Sequence, residues 1–153
     1  MVRRAAVRWV QSSPHAAQSY SHQAVVAGKE GYDSSPLWVI RAYHSGDLIP
    51  GKLAINHKQA YIAFGGNEVI VHSFEVLCAP AHLIRWKPAS MGAVPAGAIP
   101  GGKTQTGETL YIGRVDHMNS LTPGKVHPSH RRMYISFGGK EVPYTQYEVL
   151  CRI

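Results

Sequence analysis

The sequence predicts an all-β fold in which two tandem repeats of short antiparallel strands, related by a pseudo-twofold axis, pack on one core. Residues 37–78 align with residues 110–151 without a gap, and 19 of the 42 aligned positions are identical. Short runs of β-branched and aromatic residues alternate with Gly, Pro and Asn, and no uninterrupted helical period is visible, which is typical of an all-β chain. Parallel sheets need crossover helices, so antiparallel pairing is expected.

The duplication also predicts the domain organisation. The first repeat is expected over residues 9–78 and the second over residues 86–151, with residues 79–85 as a linker. Repeats of this length seldom bury their apolar faces alone, so the two are expected to form one compact unit. Residues 1–8 are expected to be an irregular lead-in, and residues 15–23 a loop insertion in the first repeat.

Local composition predicts individual elements. Residues 37–43 are rich in β-forming side chains and are expected to be a strand, which residues 110–115 repeat. Pro50-Gly51 is a turn signal, so the strand around it is predicted to be interrupted and to restart near Lys52. Gly65-Gly66 is predicted to form a bend or a bulge.

Composition and charge restrict the function. The net charge of +7 suits an anionic partner, but the basic residues are scattered, which is typical of a solvated face, so no nucleic-acid partner is expected. A basic protein that binds anionic lipid or nucleic acid by charge is the alternative hypothesis. The basic N-terminus has no apolar run before Arg8, and no long apolar run follows. We therefore expect no signal peptide, no membrane insertion, and a cytoplasmic or non-classically secreted protein.

Neither a metal, a cofactor nor a catalytic motif is predicted. His127 and His130 are the closest approach to a ligand pair, but no carboxylate or cysteine completes the set in sequence. Cys78 and Cys151 occupy equivalent repeat positions, which favours two free buried thiols. Since no triad ordering, nucleophile elbow or complete phosphate loop is present, an enzyme is not predicted.

The second repeat resembles the DM9 repeat. The motifs that carry the resemblance are Gly-Glu-Thr-Leu-Tyr-Ile-Gly-Arg, Pro-Gly-Lys, Tyr-Ile-x-Phe-Gly-Gly-Lys-Glu and Tyr-Glu-Val-Leu, between Trp86 and Leu150. Families with this architecture include mannose-binding DM9 lectins of invertebrates, and the repeat also accompanies pore-forming modules in natterin-like proteins. The resemblance implies a metal-independent lectin that recognises mannose or mannose-terminated glycans. A role in innate immunity by agglutination of microbes would then need a homodimer, because one strong site per chain cannot cross-link particles.

The Pro-Gly-Lys motif supplies the first candidate site residues, Lys52 and Lys125. A lysine after such a turn is expected at the rim of the sheet, with its ammonium free to donate three hydrogen bonds. The resemblance implies that this lysine binds sugar beside an acid of the preceding Ala-Gly loop. Counting from the Ala-Gly pair selects Glu30, and counting from the Gly-Tyr-Asp string selects Asp33, so both stay open.

Further candidates are less direct. Asp47, five residues before Lys52, is a secondary sugar-binding candidate. In the second repeat Thr104 or Thr106 takes the acid's place beside Lys125, so only a weaker second site is predicted.

Other repeated or aromatic residues are expected to be structural. Trp38 lies within a strand and is expected in the core rather than stacked on a sugar. The repeated glutamates are expected to accept from backbone donors or to pair with arginines, rather than to act as catalytic acids. They are Glu68, Glu141, Glu75 and Glu148.

Overall fold

The computed structural model describes residues 6–153, which form fourteen β-strands and four short 3-10 helices without an α-helix in that range. The all-β prediction is therefore confirmed. The first-repeat strands are β1 (Arg8–Ser12), β2 (Val26–Lys29), β3 (Pro36–His44), β4 (Asp47–Ala54), β5 (Gln59–Phe64), β6 (Asn67–Val71) and β7 (Phe74–Cys78). The second-repeat strands are β8 (Ile84–Ser90), β9 (Pro100–Lys103), β10 (Thr109–His117), β11 (Ser120–His127), β12 (Arg132–Phe137), β13 (Lys140–Tyr144) and β14 (Gln146–Arg152). The 3-10 helices are Ala16–Tyr20, Ile55–His57, Ala81–Leu83 and Pro128–His130.

Some predicted segments differ in detail. An irregular lead-in was expected over residues 1–8. Residues 1–5 lie outside the described part of the chain, and β1 already begins at Arg8. The expected loop insertion over residues 15–23 contains the 3-10 helix Ala16–Tyr20. No helix within residues 6–153 combines the length and the apolar character that a membrane crossing would need.

The strands form one antiparallel sheet whose pairing repeats itself. Strand β3 pairs with β2, β4 and β7, and β10 pairs in the same way with β9, β11 and β14. Three ladders cross between the repeats, at Lys29–Leu121, Leu48–Lys103 and Asn67–Lys140. If each strand is replaced by its equivalent in the other repeat, the β2–β11 pairing becomes the β9–β4 pairing, and the β6–β13 pairing is unchanged. This is the pattern of a twofold axis that passes between β6 and β13, so the predicted pseudo-twofold relation is confirmed.

Three apolar clusters form the core. One belongs to the first repeat and contains Trp38, whose 3% exposure confirms that it is a core residue. A second belongs to the second repeat, and the third joins both through residues such as Val39 and Ile112. Cys78 and Cys151 are free and buried, as predicted. The shared cluster explains why neither repeat needs a closed core of its own.

The Pro-Gly motif does not interrupt the strand, and the predicted turn at Pro50-Gly51 is wrong. Strand β4 runs unbroken from Asp47 to Ala54, and β11 crosses its own Pro-Gly pair in the same way. The physical reason lies in the neighbouring strand, because a Cβ at Gly51 would lie 2.2 Å from the carbonyl oxygen of Tyr61. The glycine therefore permits two backbones to approach closely rather than a reversal of the chain.

The other glycine pair does reverse the chain. Gly65 and Gly66 have φ of 60° and 87° and form the two-residue hairpin turn between β5 and β6. Positive φ at both positions matches a type I′ turn, which glycine adopts without steric cost. The predicted bend is thus a tight hairpin, and the equivalent turn joins β12 to β13.

Candidate functional site

Lys52 lies in the middle of β4 and is only 4% exposed. Its Nζ donates to the carbonyl oxygen of Ser136 in the other repeat at 2.6 Å, and it lies 3.3 Å from Glu68 Oε2. The rings of Tyr61 and Phe137 flank the ammonium at 5.5 and 5.3 Å. The prediction that this ammonium is free at the sheet rim is therefore wrong, because two of its three N–H groups face protein acceptors.

Lys125 repeats this arrangement around the pseudo-twofold axis. Its Nζ donates to the carbonyl oxygen of Ala63 at 2.8 Å and lies 2.9 Å from Glu141 Oε2. The rings of Phe64 and Tyr134 lie 5.8 and 5.4 Å from it. Each lysine thus pairs with a glutamate of its own repeat and reaches a backbone carbonyl of the other.

The repeated glutamates are structural, as predicted. Glu68 Oε1 accepts from the Gly139 N–H, and Glu141 Oε1 accepts from the Gly66 N–H, both at 3.1 Å. The other two pair with arginines, at 3.0 Å for Arg41–Glu75 and 2.9 Å for Arg114–Glu148. The lysines and the Gly-Gly-x-Glu glutamates therefore join the two repeats by hydrogen bonds that the pseudo-twofold axis repeats.

The loop of residues 30–35 carries the two candidate acids. Asp33 accepts from the Ser35 N–H at 2.9 Å and the Ser35 hydroxyl at 2.7 Å. Its second oxygen lies 2.8 Å from His57 Nε2, which in turn lies 2.8 Å from the Tyr32 hydroxyl. The hydrogen bonds from Ser35, supported by His57, lower the pKa of Asp33. This carboxylate is therefore ionised and already engaged.

Glu30 differs from Asp33 because its carboxylate has no hydrogen-bond or ion-pair partner within residues 6–153. Burial raises the pKa of the half-buried Tyr61, and the carboxylates of Glu68 and Glu30 raise it further, so Glu30 acts on the same tyrosine that covers Lys52. Glu30 and Thr104 occupy equivalent positions in the loops of the two repeats. The backbone N–H of each donates to the equivalent carbonyl oxygen at the end of its own loop.

A turn of the other repeat closes this surface. A Cβ at Gly31 would lie 2.9 Å from the carbonyl oxygen of Met118, so the β10–β11 turn touches the loop. His117 of that turn packs edge-on against Phe137, with ring centroids 4.6 Å apart, and Phe137 covers Lys52. We call the surface formed by Glu30, Tyr32, Asp33, His57 and Tyr61 over Lys52 the first-repeat site.

The equivalent surface of the second repeat also has an acid, which the sequence did not identify. Glu108 Oε1 lies 2.9 Å from His127 Nε2, and its carboxylate accepts from the Ser129 N–H and hydroxyl at 2.8 and 2.7 Å. Thr104, the residue in register with Glu30, accepts from the Glu108 N–H. We call the surface formed by Glu108, His127, His130, Arg132 and Tyr134 over Lys125 the second-repeat site. Extending the repeat alignment by two positions places Glu108 opposite Ser35, and this was the available signal for Glu108 in the sequence.

Asp47 does not join Lys52 and Glu30. Its carboxylate accepts from the Gln105 N–H at 2.8 Å, so it fixes the second-repeat loop. Its counterpart Ser120 donates to the carbonyl oxygen of Lys29 beside the first-repeat loop. The β-hairpin of each repeat therefore supports the site of the other, and Asp47 belongs with the second-repeat site.

The stacked imidazoles of His127 and His130, 3.4 Å apart, predict a pH dependence of stability. Burial lowers the pKa of His127, the His130 charge lowers it further, and Glu108 only partly opposes this. The unfolded state therefore binds a proton first, and stability should fall as pH decreases below the ordinary histidine pKa of about 6.5. His127→Ala, which copies Ala54 of the first repeat, should flatten the melting temperature between pH 6.5 and 5. An unchanged slope would show that His127 binds its proton equally well in the folded and unfolded states.

Within residues 6–153 no group of three His, Cys, Asp or Glu side chains has an arrangement that could hold a metal ion.

The chain matches the family model of the DM9 repeat over residues 30–144. The chain belongs to the DM9 repeat family. This match includes the loop of the first-repeat site and both Pro-Gly-Lys motifs.

Two comparisons show what this DM9 chain is similar to. It is 30% identical to natterin-3 of Thalassophryne nattereri over 92 residues, which cover 59% of this chain and 23% of natterin-3. Its fold is similar to the crystal structure of the nematode sperm cell motility protein MFP2B, with a TM-score of 0.72 and 17% identity. That likeness covers 99% of this chain and 47% of MFP2B. The DM9 chain therefore spans about a quarter of the length of natterin-3 and about half of that of MFP2B.

Proposed function

We propose that this DM9 chain binds carbohydrate at the first-repeat site, without a metal, and that it recognises mannose or mannose-terminated glycans. The observation that carries the proposal is the carboxylate of Glu30, which has no partner within residues 6–153 and acts electrostatically on Tyr61, the ring that covers the buried ammonium of Lys52. Family membership supports it, because the DM9 resemblance includes mannose-binding lectins.

The chemistry follows from the donors and acceptors that remain unused. Glu30 can accept two hydrogen bonds from neighbouring sugar hydroxyls, and charge-assisted bonds of this kind are the stronger ones. Lys52 has one N–H left beyond Ser136 and Glu68, and it can donate this to a hydroxyl oxygen. The exposed ring of Tyr32 offers an apolar face beside them. A sugar with the wrong hydroxyl stereochemistry leaves one of these groups unpaired, which gives selectivity.

We propose binding without turnover. A glycosidase needs two carboxyl groups free to act on the glycosidic bond. Asp33, the acid nearest to Glu30 in the loop, is held by Ser35 and His57 and serves to fix the loop. Its role is thus to position Tyr32 and His57 rather than to bind the sugar itself.

Affinity for a single sugar is expected to be weak, on the order of 0.1–1 mM. With one strong neutral-sugar site per chain, agglutination of microbes requires a homodimer, because cross-linking needs two sites on one particle. Sedimentation of the protein with and without a mannosylated polymer measures both the oligomeric state and the cross-linking.

The test is calorimetric titration of methyl mannoside into the wild type and into two variants that remove one negative charge each. Glu30→Gln should weaken binding about tenfold or more, because a charge-assisted hydrogen bond is lost. Asp33→Asn should weaken it less, since Asp33 acts through the loop. The reverse order would assign the sugar contact to Asp33.

A glycan array in EDTA and at two salt concentrations separates the alternatives. Mannose-terminated hits that survive both treatments support a metal-independent lectin. If neutral sugars do not bind and anionic ligands bind with a steep salt dependence, the proposed function is wrong, and a charge-driven partner takes its place.

A further inference from the structure

The two related sites differ in charge, because the second has an arginine and lacks the free glutamate of the first. Strand register places Lys125, His127, Arg132 and Tyr134 on one face, because Lys125 pairs with Tyr134 and His127 with Arg132. In the first repeat the same four positions are Lys52, Ala54, Gln59 and Tyr61. The second repeat therefore has a guanidinium and an imidazole where the first has an amide and a methyl group.

The carboxylates of the second-repeat site are already engaged by donors of the protein. Glu108 accepts from both donors of Ser129 and from His127, and its pKa is lowered by those bonds against the effect of burial. Glu141 lies 2.9 Å from the Lys125 ammonium. In the loop, a neutral Thr104 takes the place of Glu30, so no free carboxylate faces the ligand.

The cation of the site is only partly engaged. Arg132 is exposed, and its Nε donates to the carbonyl oxygen of His130 at 3.1 Å. Its terminal nitrogens have no ion-pair partner within residues 6–153. His130 Nδ1 lies 3.0 Å from the Tyr134 hydroxyl.

The twin tyrosines sense this difference. Burial raises the pKa of both tyrosines. At Tyr134 the Arg132 charge opposes the rise and Glu141 adds to it, whereas at Tyr61 every charge that acts on the pKa raises it further. The fork of an arginine and a nearby hydroxyl match the oxygens of a phosphate monoester.

We propose that the second-repeat site binds a phosphate monoester, with Arg132 as the principal contact and with His130 and Tyr134 beside it. As a sugar ligand this would be a phosphorylated sugar, and only that part of the inference rests on the proposed function. The two repeats would then differ in ligand class, with neutral hydroxyls bound by the first and an anionic ester by the second.

The experiment follows backbone amide shifts by NMR during titration with three probes at constant ionic strength: methyl mannoside, mannose 6-phosphate and inorganic phosphate. Mannose 6-phosphate and inorganic phosphate should shift the amides of residues 127–134, and methyl mannoside those of residues 30–35 and 57–61. Saturable shifts with inorganic phosphate alone would indicate a plain anion site and would overturn the sugar-ester assignment.

Arg132→Gln, which copies Gln59 of the first repeat, should weaken mannose 6-phosphate binding about tenfold. The matched control is Lys58→Gln, which removes an exposed charge from the equivalent turn of the first repeat and should leave that binding unchanged. Equal losses in both variants, or no binding by the wild type, would overturn the inference. Absence of methyl mannoside shifts would refute the proposed function alone, since the phosphate shifts do not depend on it.

Discussion

Lys52→Met should lower the free energy of unfolding by about 3–5 kcal/mol, the usual loss when one partner of a buried ion pair is removed. The side chains of Lys52 and Glu68 are 6% and 13% exposed, so the remaining carboxylate is poorly hydrated. The carbonyl oxygen of the buried Ser136 also loses its donor. Urea unfolding followed by tryptophan fluorescence measures the change.

Two controls make this result specific. Lys58→Met removes an exposed lysine of the same repeat and should change stability by less than about 0.5 kcal/mol. Adding Glu68→Gln to Lys52→Met should recover part of the loss, because the orphaned charge disappears. A loss below about 1 kcal/mol would contradict the buried network. Full mannoside binding by folded Lys52→Met would exclude Lys52 as a sugar donor.

Gly102→Ala should destabilise the protein by about 3 kcal/mol or more, because the new methyl group collides with backbone. A Cβ at Gly102 would lie 1.9 Å from the carbonyl oxygen of Leu48, at the ladder that joins β9 to β4. Neither strand can move without opening a contact between the repeats. Thermal and urea unfolding of the variant measure the loss.

The control for this change is a glycine that faces side chains only. At Gly113 a Cβ would meet Val126 Cγ2 at 2.8 Å and Met133 Sδ at 3.0 Å, and only the methionine can shift easily, because valine is stiff. Gly113→Ala is therefore expected to cost about 1–2 kcal/mol, less than a collision with backbone. Equal costs for the two substitutions would mean that β9 and β4 are less closely packed than the structure has them.

The parts of the fold that depend on local pattern could be predicted. The duplication and the strand at residues 37–43 follow from identity and β-forming composition, and the structure has them. The path of the chain through Pro50-Gly51 could not be predicted, because the reason for the glycine is the Tyr61 carbonyl of a neighbouring strand. The Pro-Gly pair looks the same in the sequence whether it forms a turn or lets two neighbouring strands approach closely.

The surroundings of the candidate site residues could not be predicted, for a similar reason. The family resemblance selected Lys52 with Glu30 or Asp33, but Lys52 was expected to be exposed. The acceptor that buries Lys52 belongs to Ser136, 84 positions along the chain, which no local pattern can reveal. Asp47 was grouped with the wrong loop because each hairpin supports the other repeat.

The reciprocal crossing of the repeats makes this chain equivalent to a twofold homodimer fused into one polypeptide. Its internal interface is isologous, since Lys52 reaches the second repeat as Lys125 reaches the first. In a true homodimer every substitution appears in both sites at once. Fusion removes that constraint, so one site can keep a free carboxylate while its twin acquires an arginine. A symmetric scaffold with two chemically unlike surfaces is the result.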